Sequence, residues 1–92
     1  MDGLSIKVKT TDGVEATYKL TPRVIVAFEQ QYGKGMPHLL GQEQKIEHIF
    51  WLAWKSMGAA GQVVKPWGPD FLDTILTAEL DADDSFGSTE IA

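Results

Sequence analysis

Leu4-Ser5-Ile6-Lys7-Val8-Lys9-Thr10-Thr11-Asp12-Gly13-Val14-Glu15-Ala16-Thr17-Tyr18-Lys19-Leu20 is two alternating runs joined by a turn signal. In the first run Leu4, Ile6 and Val8 alternate with Ser5, Lys7 and Lys9. In the second, Val14, Ala16, Tyr18 and Leu20 alternate with Glu15, Thr17 and Lys19. A period of two places each apolar set on one face of a strand and leaves the other face to solvent. Asp12-Gly13 supplies the hairpin turn, because Gly13 takes a positive φ at no steric cost. A hairpin alone is marginal in water, so its apolar face needs a cover. The remaining sequence offers helices to provide it.

Thr21-Pro22 announces the first of these: Thr is a good N-cap, and Pro in the first turn gives up an N–H that would be orphaned anyway. Val24, Ile25, Phe28 and Tyr32 follow at helical spacing, and Gly33 is a stop signal. Gly35 and Pro37 break the chain before a short turn containing His38, Leu39 and Leu40. A second helix is predicted from Gln42 to Met57, with Ile46, Ile49, Phe50, Ala53 and Met57 as one stripe. At about 100° per residue Trp54 falls at the edge of that stripe, Trp51 well outside it and Leu52 on the other flank. The helix is apolar around more of its circumference than a surface helix requires, so it is either central or carries a second contact face. Gly58 to Gly68 reads as a loop with Val63, Val64 and Trp67 as anchors. Pro69 and Asp70 open a third helix whose apolar face is Phe71, Leu72, Ile75 and Leu76. From Asp81 the composition turns to Asp, Ser, Gly and Thr, which predicts a disordered acidic tail. The expected fold is α+β: an N-terminal β-hairpin packed on about three α-helices, one domain over residues 1–80 and a flexible tail over 81–92.

Composition narrows the function classes. With no cysteine among 92 residues there is no disulfide staple and no thiolate zinc site, and a hydrophobic content of 43% must supply the core. The start, Met1 to Lys7, has no basic region followed by an apolar run, so no signal peptide is read. The longest apolar cluster, Ile49 to Trp54, falls far short of the roughly twenty residues of a membrane span. A net charge of −5, with Arg23 the only arginine and seven scattered lysines, argues against nucleic acid, whose affinity comes from cations neutralising phosphates.

Motifs that carry chemistry fail on spacing. His48 stands beside Glu47 on the second helix and has no strong ligand at i+3 or i+4, so it reads as solvent-facing or partly packed, and His38 as a loop residue. Asp81-Ala82-Asp83-Asp84-Ser85-Phe86-Gly87 resembles the opening of a calcium loop, but Phe86 and Ala92 occupy the positions that need Gly and Glu. No G-x-S-x-G elbow is present, and Gly33-Lys34-Gly35 lacks the rest of a phosphate loop. No catalytic, cofactor or metal residue is therefore assigned, and the chain reads as a non-enzyme. What remains is aromatic surface. Trp51 lies at an angle shared with His48 and Lys55, and Trp is enriched at interface hot spots. Trp51, Leu52, Trp54 and Trp67 are the candidate partner-binding residues, with Trp51→Ala expected to spare folding and weaken binding.

The order of elements resembles the tail assembly chaperones of long-tailed bacteriophages, over Ile6 to Asp84. The phrases that carry the likeness are Ala27-Phe28-Glu29-Gln30-Gln31-Tyr32-Gly33, Ile49-Phe50-Trp51-Leu52-Ala53-Trp54, and Phe71-Leu72-Asp73 followed by Glu79-Leu80-Asp81. The resemblance implies a protein of the infected bacterial cytoplasm, absent from the mature virion. It implies binding to the aggregation-prone helical tape measure protein and recruitment of tail tube protein around it. It further implies a longer form made by ribosomal frameshifting, the present chain being the short form. Self-association into a ring or spiral along the client is left open. An alternative of another class is a structural head–tail joining or tail-completion protein of the virion.

Overall fold

The hairpin forms in the register that its alternation predicts. In the computed structural model, which describes residues 4–43 and 45–82, β1 (Leu4–Thr10) and β2 (Glu15–Lys19) pair antiparallel with Ile6 opposite Tyr18 and Val8 opposite Ala16. Gly13, at φ 91°, closes the turn. The Asp12 side chain accepts from the Thr10 hydroxyl and from the Val14 N–H, and these bonds hold its carboxyl below the ordinary range.

The second flank of β1 is filled by a strand where the sequence pattern predicted helix. Pro69–Leu72 (α4) makes only one helical turn. The Thr74 N–H and hydroxyl both donate to the Phe71 carbonyl, at 2.9 and 2.6 Å, and the chain then extends as β3 (Ile75–Ala82). The third helix is thus corrected to a helical turn followed by a strand. The physical reason is the free edge of β1: a strand there satisfies a full row of backbone groups, and β-branched Thr74 and Ile75 favour extended backbone. The sheet order is β2–β1–β3, antiparallel throughout, with a register shift at Lys9/Thr10 where Leu76 is left unpaired. Ile6 and Val8 are buried, and Tyr18, Ala78 and Leu80 pack against them on the same face. Lys7, Lys9, Thr17, Lys19 and Glu79 line the exposed face. The predicted acidic tail lies outside the described residues, apart from the backbone of Asp81 and Ala82, which completes β3.

Helices cover the apolar face. α1 (Pro22–Tyr32) is capped by the Thr21 side chain, which accepts from Val24 N–H, and is stopped by Gly33 at φ 73°. Glu29 pins the following turn by accepting from the Met36 N–H at 2.7 Å. A short helical turn, α2 (Met36–His38), and a π-helical turn at Leu39–Glu43 lead into α3 (Ile46–Ala59). α3 therefore starts four residues later than the sequence pattern predicted, because the π-helical turn takes up the chain before it. It touches all three strands and α1. The core consists of Ile6, Val8, Leu20, Val24, Phe28, Met36, Leu39, Trp51, Leu52, Ala53, Met57, Phe71 and Ile75. With a three-stranded sheet, four α-helical segments and one π-helical turn among the described residues, the architecture is α+β.

Candidate functional site

α3 decides which apolar side chains are core and which are surface, and it does so about one residue's rotation away from the predicted stripe. Its inward face runs along His48, Leu52 and Ser56, flanked by Trp51 and Ala53. Trp51 is 5% exposed and Leu52 fully enclosed, whereas Ile46, the first residue of the predicted stripe, is 69% exposed. The expectation that Trp51 and Leu52 face a partner is therefore corrected. α1 lies alongside α3 and covers that flank with Phe28 and Tyr32, which the helical angle of α3 alone does not reveal.

Aromatic rings run without a break from this enclosed side to the surface. Tyr32 meets His48 at 4.5 Å between ring centroids, and Phe28 touches Tyr32, His48 and Trp51 at 5.2 to 5.9 Å. Trp51 contacts Trp54 at 5.7 Å, Trp54 contacts Trp67 at 5.9 Å, and Trp67 contacts Phe71 at 6.0 Å. Such edge and tilted pairs add roughly 0.5–1.5 kcal/mol each beyond the area they bury. Trp54 and Trp67 are both partly buried, and the Trp54 indole N–H donates to the Lys65 carbonyl at 2.9 Å. That bond fastens the 60–68 loop to α3 and sets Trp67 beside α4.

The outcome is an apolar groove of about 510 Å³ between the first turns of α3 and α4. Ile46 and Phe50 form one wall, Trp67, Pro69 and Leu72 the other, and Glu47 is the one charged side chain at its rim. Leu72 is 40% exposed, like Ile46 a large apolar side chain in water. Of the four predicted contact residues, Trp67 lines this groove and Trp54 supports it from behind. Ile46, Phe50 and Leu72 also line it and are not among the predicted contact residues. The sequence pattern places Ile46 and Phe50 on the core stripe and Leu72 on the face of a longer helix.

Glu43, at the end of the π-helical turn, gathers the polar groups nearby. Its carboxylate accepts from Lys34 Nζ at 3.0 Å and lies 3.6 Å from His38 Nε2 and 3.9 Å from His48 Nε2. The Lys34 hydrogen bond holds the Glu43 carboxyl below the ordinary range. His48, expected at or near solvent, is 1% exposed between Phe28 and Tyr32, and its Nδ1 has no hydrogen-bond partner. The Tyr32 hydroxyl donates to Glu47 at 3.3 Å, and burial, with the Glu47 charge second, pushes its pKa up to about 12. Among the described residues no group of three or more His, Asp or Glu is placed to hold a metal ion, and no helix is long and apolar enough to cross a membrane. The open apolar walls of the groove can hold an apolar helix or strand of another chain. Comparisons with protein-family models, curated proteins and solved structures yield no match.

Proposed function

We propose that this chain is the short form of a bacteriophage tail assembly chaperone, a non-catalytic protein that binds the tape measure protein and assists tail tube assembly in the host cytoplasm. The observation that carries the reading is the groove bounded by Ile46, Phe50, Trp67 and Leu72, because large apolar side chains held open to water mark a place where another apolar surface belongs. Its occupant on this reading is an amphipathic helix, whose side chains at i, i+3 or i+4 and i+7 fill such a groove. A long, apolar, helical client offers many such segments. The family-like order of Ala27 to Gly33, Ile49 to Trp54 and Phe71 to Asp73 supports the same assignment.

The test is to tag the N-terminus, express the gene with its native downstream DNA and neighbouring genes, and identify co-purifying chains by mass spectrometry. Recovery of a long helical tail protein, together with a longer product sharing this N-terminus, is the expected result. Recovery of a portal or tube component alone, or of this chain in purified particles, would instead make it a structural part of the virion.

A further inference from the structure

β2 pairs with β1 on one side, and among the described residues no strand lies along its other side. The hydrogen bonds to β1 fix which backbone groups point that way. The Thr10 N–H donates to the Val14 carbonyl at 2.9 Å, and the Leu20 N–H to the Leu4 carbonyl at 3.0 Å. Hydrogen-bonded pairs alternate along an antiparallel ladder, so Val8–Ala16 and Ile6–Tyr18 are the bonded pairs between them. Glu15, Thr17 and Lys19 therefore turn their N–H and carbonyl groups outward, and the same three residues are exposed. A short strand with charged side chains is the usual protection of an open edge against pairing. Here the two charges have opposite signs and stand equally far along the strand from Thr17.

We propose that this edge joins a second copy of the chain, β2 to β2 antiparallel about a two-fold axis through Thr17. Thr17 then faces its own copy, and Glu15 of each protomer faces Lys19 of the other. The residues brought opposite one another are the ones whose backbone groups point outward, so backbone and charge select the same alignment. A slip of two residues keeps the backbone bonds but separates Glu15 from Lys19. A slip of one sets the exposed face of one copy against the apolar face of the other. On the apolar face Tyr18, partly buried, meets Ala16 of the second copy. Such a contact is isologous and closes on itself, giving a continuous sheet of twice three strands. The outer edge of β3 offers no such match, because Ile75–Ala82 contains Glu79 and Asp81 and no lysine or arginine. One strand per protomer is a small contact, so the dimer forms and dissociates with concentration.

Sedimentation equilibrium of the full chain, from micromolar to millimolar concentration, tests this. The expected result is a monomer–dimer equilibrium. Glu15→Lys alone and Lys19→Glu alone each set like charges opposite one another and should raise the dissociation constant about tenfold. An equal mixture of those two variants, and the doubly exchanged Glu15→Lys/Lys19→Glu chain, should each recover association, because opposite charges face each other again. Thr17→Pro removes an outward N–H at the centre of the contact and should abolish the dimer, with the melting temperature of the dilute monomer close to the parent's. Should that variant fail to fold, the charge series at exposed positions gives the same reading. A chain monomeric at millimolar concentration, a dimer that survives Thr17→Pro, association indifferent to both charge changes, single variants that do not recover on mixing, or larger complexes lost through Glu79→Lys overturn the proposal. No client enters these measurements, so their failure is separate from a failure of the chaperone reading.

Discussion

Two sides of α3 are built from the same kinds of residue and meet opposite fates. On one, Trp51 is sealed under Phe28 and Tyr32 of α1, and Leu52 is fully enclosed in the core. On the other, Ile46 and Phe50 face Trp67 and Leu72 across a groove open to water. The difference lies in what the rest of the chain brings alongside. An eleven-residue helix covers the first side, and a single helical turn, α4, stands opposite the second without closing it. Apolar periodicity marks both sides alike; only the placement of α1 and α4 decides which one stays open to water.

Mutations should separate the two sides, and the largest effect belongs to the sealed one. Trp51→Ala removes a ring held by Phe28, Tyr32 and Trp54 and should destabilise the fold by about 3–5 kcal/mol in thermal or urea unfolding. A melting temperature unchanged from the parent would return Trp51 to the surface and reverse the comparison. On the open side, Ile46→Asp and Leu72→Asp should shift the unfolding free energy by no more than about 0.5 kcal/mol. The same changes should weaken client binding about tenfold, roughly 1.4 kcal/mol, in titration calorimetry. Trp54→Phe keeps an aromatic ring, though a smaller one, and loses the N–H that donates to the Lys65 carbonyl, at a cost of at least about 1 kcal/mol. Faster amide exchange in residues 60–68 would locate that loss, and unchanged exchange there would mean that the bond does not fasten the loop.

Effects of pH should be smaller and opposite at the two ends of the scale. Tyr32 has its pKa raised from 10.0 to about 12, so the folded chain keeps a proton that the unfolded chain loses. Its contribution to stability is complete below about 10 and falls away as pH rises towards 12. Tyr32→Phe should flatten that alkaline decline in melting temperature. For Glu43 the sign reverses. Its lowered carboxyl contributes above the ordinary value of 4.5 and loses that contribution as pH falls, so Glu43→Gln should flatten the acid limb.

Much of this architecture was legible because its signals are local. Asp12-Gly13 between alternating runs sets the hairpin, and Thr21-Pro22 with Gly33 sets both ends of α1. β3 was missed because Phe71, Leu72, Ile75 and Leu76 satisfy a helical period as well as a short turn followed by a strand. What decides between them is the open edge of β1, 65 to 78 residues earlier in the chain. Ala78 and Leu80 facing in, with Thr77 and Glu79 facing out, was the signal that could have revealed it. The site was only partly readable for a related reason. Trp67 could be singled out by residue type, but Ile46 and Leu72 look like ordinary core residues until their neighbours are placed. The burial of His48 depends on Phe28 and Tyr32 from another helix, so no pattern within α3 foretells it.

The central claim is that α3 turns one face inward and offers the other, with α4, to an apolar helix. Amide hydrogen exchange of the whole protein with and without a helical segment of the tape measure protein tests it most directly. New protection confined to residues 46–50 and 67–72, with the already slow amides around Trp51 and Leu52 unchanged, is the predicted result. Protection confined to the exposed sheet face of Lys7, Lys9 and Glu79, with the groove still exchanging freely, would contradict it.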